Sequence, residues 1–189
     1  MPEQLSAIDV LTQRVSCNML SEPAPSPKQL DIIQRAALRA ADHKLLRPWR
    51  FLVIEGDGLE SLGKLFLRAK RRTDPGLSED AAMKTLAMPR RAPMIIVAIA
   101  SHQPNPKVPE IEQLLSTGAA VQNMLNAVFA LGLGAIWRTG DLAENAEVKA
   151  GLGLSGNETI VGFLYLGTPK SGLREAPSLE LGDYFKAWP

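Results

Sequence analysis

The chain has 189 residues, enough for one domain spanning 1–189, and its 46% apolar and 22% charged residues exclude a disordered chain. Twenty-one basic and 20 acidic residues leave a net charge of +1, which gives no reason to expect nucleic acid or a membrane as partner. The lone Cys17 rules out an intrachain disulfide, and Met1-Pro-Glu-Gln-Leu5 lacks the basic and apolar regions of a secretory signal, so a cytoplasmic location is expected.

Along the chain, Ile8 to Leu11 is a short apolar-containing segment, followed by Arg14-Val15-Ser16. The first predicted helix starts at Ser26, which can cap; Pro27 suits the first helical position and Gln29 completes a capping-box spacing. Leu30, Ile33, Ala37 and Ala40 recur at helical spacing, and the helix is expected to end near Ala41-Asp42. Arg50 to Glu55 reads as a strand closed by Gly56-Asp57-Gly58, and Leu59 to Arg71 as a helix broken by Asp74-Pro75-Gly76. Ser78 opens another helical stretch to about Met88. Met94 to Ala100 is a buried strand, far too short to cross a bilayer as a helix. The basic clusters Arg68-Ala-Lys-Arg-Arg72 and Arg90-Arg91 read as solvated helix faces.

Residues 101–109 contain three prolines and read as loop. Glu110 to Leu131 is the longest helical segment, apolar around most of its circumference, and so is expected to be buried on more than one side, in a core or against a second subunit. Gly132 ends it as a left-handed cap. A strand at Ala135–Trp137, a helix at Ala146–Ala150 and a strand at Thr159–Leu166 follow, and the tail from Gly167 is expected to wrap a neighbouring chain. The fold class expected is α+β, helices surrounding a central, mainly antiparallel sheet.

Gly151-Leu-Gly-Leu-Ser-Gly156 spells G-x-G-x-x-G, but a helix precedes it and a strand follows. A dinucleotide fingerprint needs the reverse, because the helix N-terminus receives the pyrophosphate. The pattern is rejected. Other groups have chemistry to offer. In Arg14-Val15-Ser16 a guanidinium fork and a hydroxyl can reach one phosphate. Arg39 and His43, four apart, share a helix face if the helix persists; favourable charge at a helix C-terminus is the plain alternative. Trp137-Arg138-Thr139-Gly140 puts an aromatic ring, a cation, a hydroxyl and a glycine into one tight loop. No pattern ties Cys17 to His43 or His102, so a small semi-buried residue is expected there and not a nucleophile.

The order of these pieces resembles the nitroreductase family, and within it a small NAD(P)H nitroreductase branch. Glu22-Pro-Ala-Pro25, Ala41-Asp-His-Lys44, Ile136-Trp-Arg-Thr-Gly140 and Val161-Gly-Phe-Leu-Tyr-Leu-Gly-Thr-Pro169 carry the resemblance, which spans about Val10 to Thr168. It implies a homodimer binding FMN at the subunit interface, with NADH or NADPH as electron donor and a small-molecule acceptor such as a nitroaromatic or a quinone. Arg14, Val15 and Ser16 match the family's N-terminal flavin segment, Arg39 and His43 further flavin contacts, and Trp137, Arg138 and Thr139 the loop along the ring edge. Ala127, Val128, Phe129, Ala130, Leu131 and Gly132 match the segment associated with the nicotinamide nucleotide. No side chain is implied as catalytic, because flavin N5 carries the hydride. Asn18 stands where many relatives have a cation, and Leu45 and Arg47 stand where many have Asn and Gln. A flavin carrier, or a flavin-consuming protein without reductase turnover, is the competing reading.

Overall fold

The computed structural model describes residues 5–188. The sheet consists of β1 (Leu20–Ser21), β2 (Trp49–Glu55), β3 (Met94–Ser101), β4 (Gly134–Arg138) and β5 (Glu158–Pro169). β3 pairs with β2 and β5, while β5 pairs also with β4 and, at its end, with β1; every pairing is antiparallel. None of these neighbours is joined by a tight turn. Helices α3 (Asp57–Thr73) and α4 (Glu79–Ala87) separate β2 from β3, and α5 (Glu110–Ala130) separates β3 from β4. The short α6 (Asp141–Glu144) and α7 (Ala146–Gly151) separate β4 from β5. This is the expected α+β arrangement.

The reason β3 reads as an unbroken apolar run is that both its faces are covered. Successive side chains point to opposite faces. Ile95, Val97 and Ile99 enter one core with Phe66, Leu62, Val148 and Phe163. Met94, Ile96 and Ala98 enter the other with Ile33, Val121, Met124 and Leu164. Each Ile or Val so buried contributes about 1.5–3 kcal/mol. Phe66 and Phe163 meet edge to face, centroids 5.3 Å apart at 82°.

Helix α2 (Pro27–Ala37) starts as its sequence predicts: the Gln29 N–H donates to Ser26 Oγ at 3.4 Å, and the Ser26 N–H to Gln29 Oε1 at 2.9 Å. Its end does not follow the expectation. The helix stops at Ala37 and does not reach Ala41-Asp42: Leu38 takes φ −71° and ψ 0°, and the N–H groups of Arg39 and Ala40 tighten onto Ala36 and Ala37. Arg39 and His43 therefore do not share a helix face. A helix the sequence reading missed, α1 (Ala7–Gln13), is opened by Ser6 and Asp9, whose side chains cap each other's N–H at 3.1 Å. Gly132 adopts φ +70°, the left-handed cap expected. Among the described residues no helix is long and apolar enough to cross a membrane.

Candidate functional site

The N-terminal segment is seated on β4. The Cys17 N–H donates to the Ala135 carbonyl at 2.8 Å, and Val15 is buried. Gly134 makes this approach possible: a Cβ there would lie 2.6 Å from Leu20 Cδ2 and 3.1 Å from Cys17 Cβ. Arg14 follows the last turn of α1, and Ser16 is exposed. The Arg14 Nη1 is buried and has no hydrogen-bond acceptor among the described residues.

The other end of β4 carries Trp137 and Arg138. The Trp137 Nε1–H donates to the Val161 carbonyl at 3.1 Å, and the indole lies over Gly162, where a Cβ would be 2.1 Å from Nε1. Glycine is required at 162 by this close approach, and nothing near it in sequence signals that. The Arg138 guanidinium carbon stands 5.5 Å from the centre of the Tyr165 ring, and Arg138 Nε is the second buried guanidinium nitrogen with no acceptor. Burial raises the Tyr165 phenol above its ordinary value, while the charges of Arg138 and Arg91 pull the other way. Thr139 is exposed, and Gly140 turns the chain at φ +98°, a conformation that favours glycine.

A buried donor without an acceptor costs about 1–3 kcal/mol. Two such donors on one strand and the segment seated upon it ask for oxygen acceptors from outside the chain. Together with the Ser16 hydroxyl, they offer hydrogen-bond donors to an oxygen-rich, anionic ligand.

Arg39 and His43 lie on a different piece of structure. Both are exposed, in the turn between α2 and β2. His43 opens a single turn of 3-10 helix, and Lys44, Leu45 and Arg47 then take φ of +62°, +53° and +50°. Each such residue stores about 1–3 kcal/mol of strain and persists only where its surroundings hold it. Here they do. The Arg47 N–H donates to Asp42 Oδ2 at 2.7 Å, Ser116 Oγ to the Ala41 carbonyl at 2.5 Å, Gln103 Nε2 to Leu46 at 2.6 Å and Thr117 Oγ1 to Pro48 at 3.1 Å. His43 Nδ1 lies 2.8 Å from Glu112 Oε2. Gly118, beside Thr117, lies under the Trp137 ring, so α5 braces this turn and the β4 loop alike. Among the described residues no hydrogen bond or ion pair joins Arg39 or His43 to Arg14, Ser16 or Arg138.

The segment Ala127–Gly132 is the end of α5 and its cap. Val128 is buried, and the N–H groups of Leu131, Gly132 and Leu133 are taken by the carbonyls of Ala127, Phe129 and Val128 at 3.0 Å. Phe129 and Gly132 line an open cleft of about 690 Å³ with Thr12, Gln13 and residues 173–178. Ala127, Ala130 and Leu131 do not line it.

A family model described as the nitroreductase family matches residues 11–168. A relative from Escherichia coli strain K12, named "Putative NAD(P)H nitroreductase YdjA", is 41% identical over 179 residues, covering 95% of this chain and 96% of its own. The solved structure of a nitroreductase-like family protein from Bacillus cereus superposes with a TM-score of 0.82 at 22% identity, over 100% of this chain and 98% of that one. A nitroreductase with bound FMN from Bacteroides fragilis does so with a TM-score of 0.75 at 18% identity, over 97% and 100%. At these identities the two structures speak for the fold.

Proposed function

The chain belongs to the nitroreductase family, and from that premise we propose that it is an FMN-dependent oxidoreductase. In this reading it is a single domain that uses NADH or NADPH to reduce small acceptors such as nitroaromatics or quinones. The observation that carries the reading is the pair of buried, acceptorless guanidinium nitrogens of Arg14 and Arg138. Flavin, when bound, would supply the two-electron, hydride-transferring chemistry that no side chain of this protein provides. The chain's own residues bind and orient. Arg14 and Ser16 hold the phosphate, and Arg14 is the stronger anchor because a charged donor makes the stronger hydrogen bond. Trp137 cannot swing, being bonded to Val161 and wedged against Gly162, so the loop Arg138-Thr139 is carried on a fixed support. The segment 127–132 is proposed for the nicotinamide nucleotide through Phe129 and Gly132, which face the cleft.

The protein acts as a homodimer in this reading. Ile111 and Leu115, one turn apart on α5, are exposed, as are Leu179, Leu181, Tyr184 and Phe185 in the tail, and Trp188 is 95% exposed. A monomer rarely leaves this much large apolar surface in water. Arg39 and His43 make no contact with Arg14 within one chain, which supports their serving the flavin held by the partner subunit's Arg14. A mixed dimer pairing Arg14→Ala with Arg39→Ala/His43→Ala regains up to half the wild-type sites if the site is shared, and none if it is not.

The test of function is spectroscopic. Purified protein given FMN should turn yellow and bleach anaerobically with NADH or NADPH, then recover on addition of a quinone. A yellow protein that does not bleach contradicts the reductase and favours a flavin carrier. A protein that takes up no FMN contradicts both.

A further inference from the structure

We propose that Glu112 is a positioning residue. It holds His43 with the hydrogen on Nδ1 and fixes the ring, so that Nε2 is the nitrogen presented to the flavin. This rests on His43 being a flavin contact, as read above.

The two side chains come from elements far apart in the chain, the turn after α2 and the first turn of α5, and Nδ1 meets Oε2 at 2.8 Å. A carboxylate oxygen accepts and does not donate, so the hydrogen of this bond sits on Nδ1. Which imidazole nitrogen carries the proton is set by the bond the other one makes. Nε2 is left for a ligand.

The bland reading is a surface ion pair that steadies the turn, and two observations weigh against it. First, the side chains are 50% and 44% exposed, and pairs so exposed contribute little to folding. Second, the turn is already fastened at Ala41 by Ser116, at Leu46 by Gln103, at Pro48 by Thr117 and internally by Asp42. The backbone around His43 does not need Glu112 to stay where it is. What the bond adds is the direction of the ring. Asp42, the nearest acidic neighbour in sequence, has its Oδ2 on the Arg47 N–H, and among the described residues it makes no bond to the His43 ring.

The chain has two histidines, His43 and His102, which makes the tautomer directly readable by nitrogen-15 NMR on the flavin-free protein. His102 serves as the internal reference. Wild-type His43 should carry its hydrogen on Nδ1. Glu112→Gln should keep it there, because the amide oxygen still accepts, whereas Glu112→Ala should release the ring to the Nε2–H form that a free imidazole favours. FMN affinity, read by quenching of flavin fluorescence, should fall about tenfold in Glu112→Ala and much less in Glu112→Gln, as expected for one lost hydrogen bond. The unfolding midpoint should move in neither. A wild-type His43 with its hydrogen on Nε2 overturns the proposal. So does a Glu112→Ala variant that binds FMN as tightly as wild type while His43→Ala does not, and that result leaves the flavin reading standing. A wild-type protein that takes up no FMN overturns the flavin reading and the proposal with it.

Discussion

Two regions of this molecule are rich in basic residues and treat them in opposite ways. On α3, Arg68 and Arg72 both bind Glu147, Lys70 binds Asp141 and Arg71 reaches Glu79. Arg72 and Arg68 hold the Glu147 carboxyl below its ordinary value. Around β4, Arg14 and Arg138 have no carboxylate, and each buries a nitrogen without an acceptor. The charged groups of Arg39, Lys44 and Arg47 also have no carboxylate partner among the described residues. The α3 cluster lines the open cleft of about 740 Å³ beside α7, yet its charge is already spent within the chain. An open cleft marks one region and unsatisfied donors the other. The donors decide, because leaving them unmet has a cost that an empty cleft does not.

The largest effect expected on the paired side is at Glu158. Its carboxylate is buried, accepts from Arg50 Nε at 2.6 Å and Nη2 at 2.7 Å and from the Ser155 N–H at 3.0 Å, and is pulled down to about 2, chiefly by Arg50. Glu158→Ala leaves Arg50 partly buried without its partner and should cost about 3 kcal/mol in urea unfolding. The sign with pH follows from the lowered value. The contribution is present above about 4.5, where the unfolded chain is already ionised, and fades as pH falls toward about 2. Wild-type and variant stabilities should converge across that window. Curves that stay parallel would show that the pair is not what stabilises this end of the sheet.

A smaller loss is expected inside the candidate site. Gly162→Ala drives a methyl into the Trp137 indole and should cost about 1–3 kcal/mol of stability, with a red-shifted tryptophan emission as the ring is displaced. Unchanged emission and midpoint would mean that Trp137 is not wedged there. Smallest of all, Arg72→Ala should leave FMN affinity unchanged and barely move the midpoint, since an exposed member of a surface network contributes little. A loss of FMN affinity in this variant would reverse the assignment of the two basic regions.

What the sequence disclosed depended on how local the cause was. The cap of α2, the run Met94–Ala100, the glycine after α5 and the wrong context of Gly151–Gly156 are decided by neighbours within a turn or two, and all were legible. Even α1 has a readable start in Ser6-Ala-Ile-Asp9, a capping box closed by Asp in place of Glu or Gln. The early end of α2 is another matter. It is followed by a turn whose backbone Ser116 and Thr117 hold from a helix some 70 residues away, and no helical periodicity can register that. Gly162 likewise looks like a weak point in a strand until the indole across the sheet is in view. Arg14, Arg138 and His43 were nameable through the family resemblance, whereas their missing or present partners required coordinates.

The most direct test of the central claim is an FMN titration of wild type, Arg14→Ala and Arg72→Ala, followed by quenching of flavin fluorescence. The acceptorless arginine should matter and the paired one should not: Arg14→Ala is expected to bind FMN about 1.5–3 kcal/mol more weakly, with a flavin-free unfolding midpoint no lower than wild type's, and Arg72→Ala to match wild type. Equal affinity in all three proteins would contradict the account, because the buried Arg14 nitrogen would then have no anion to meet.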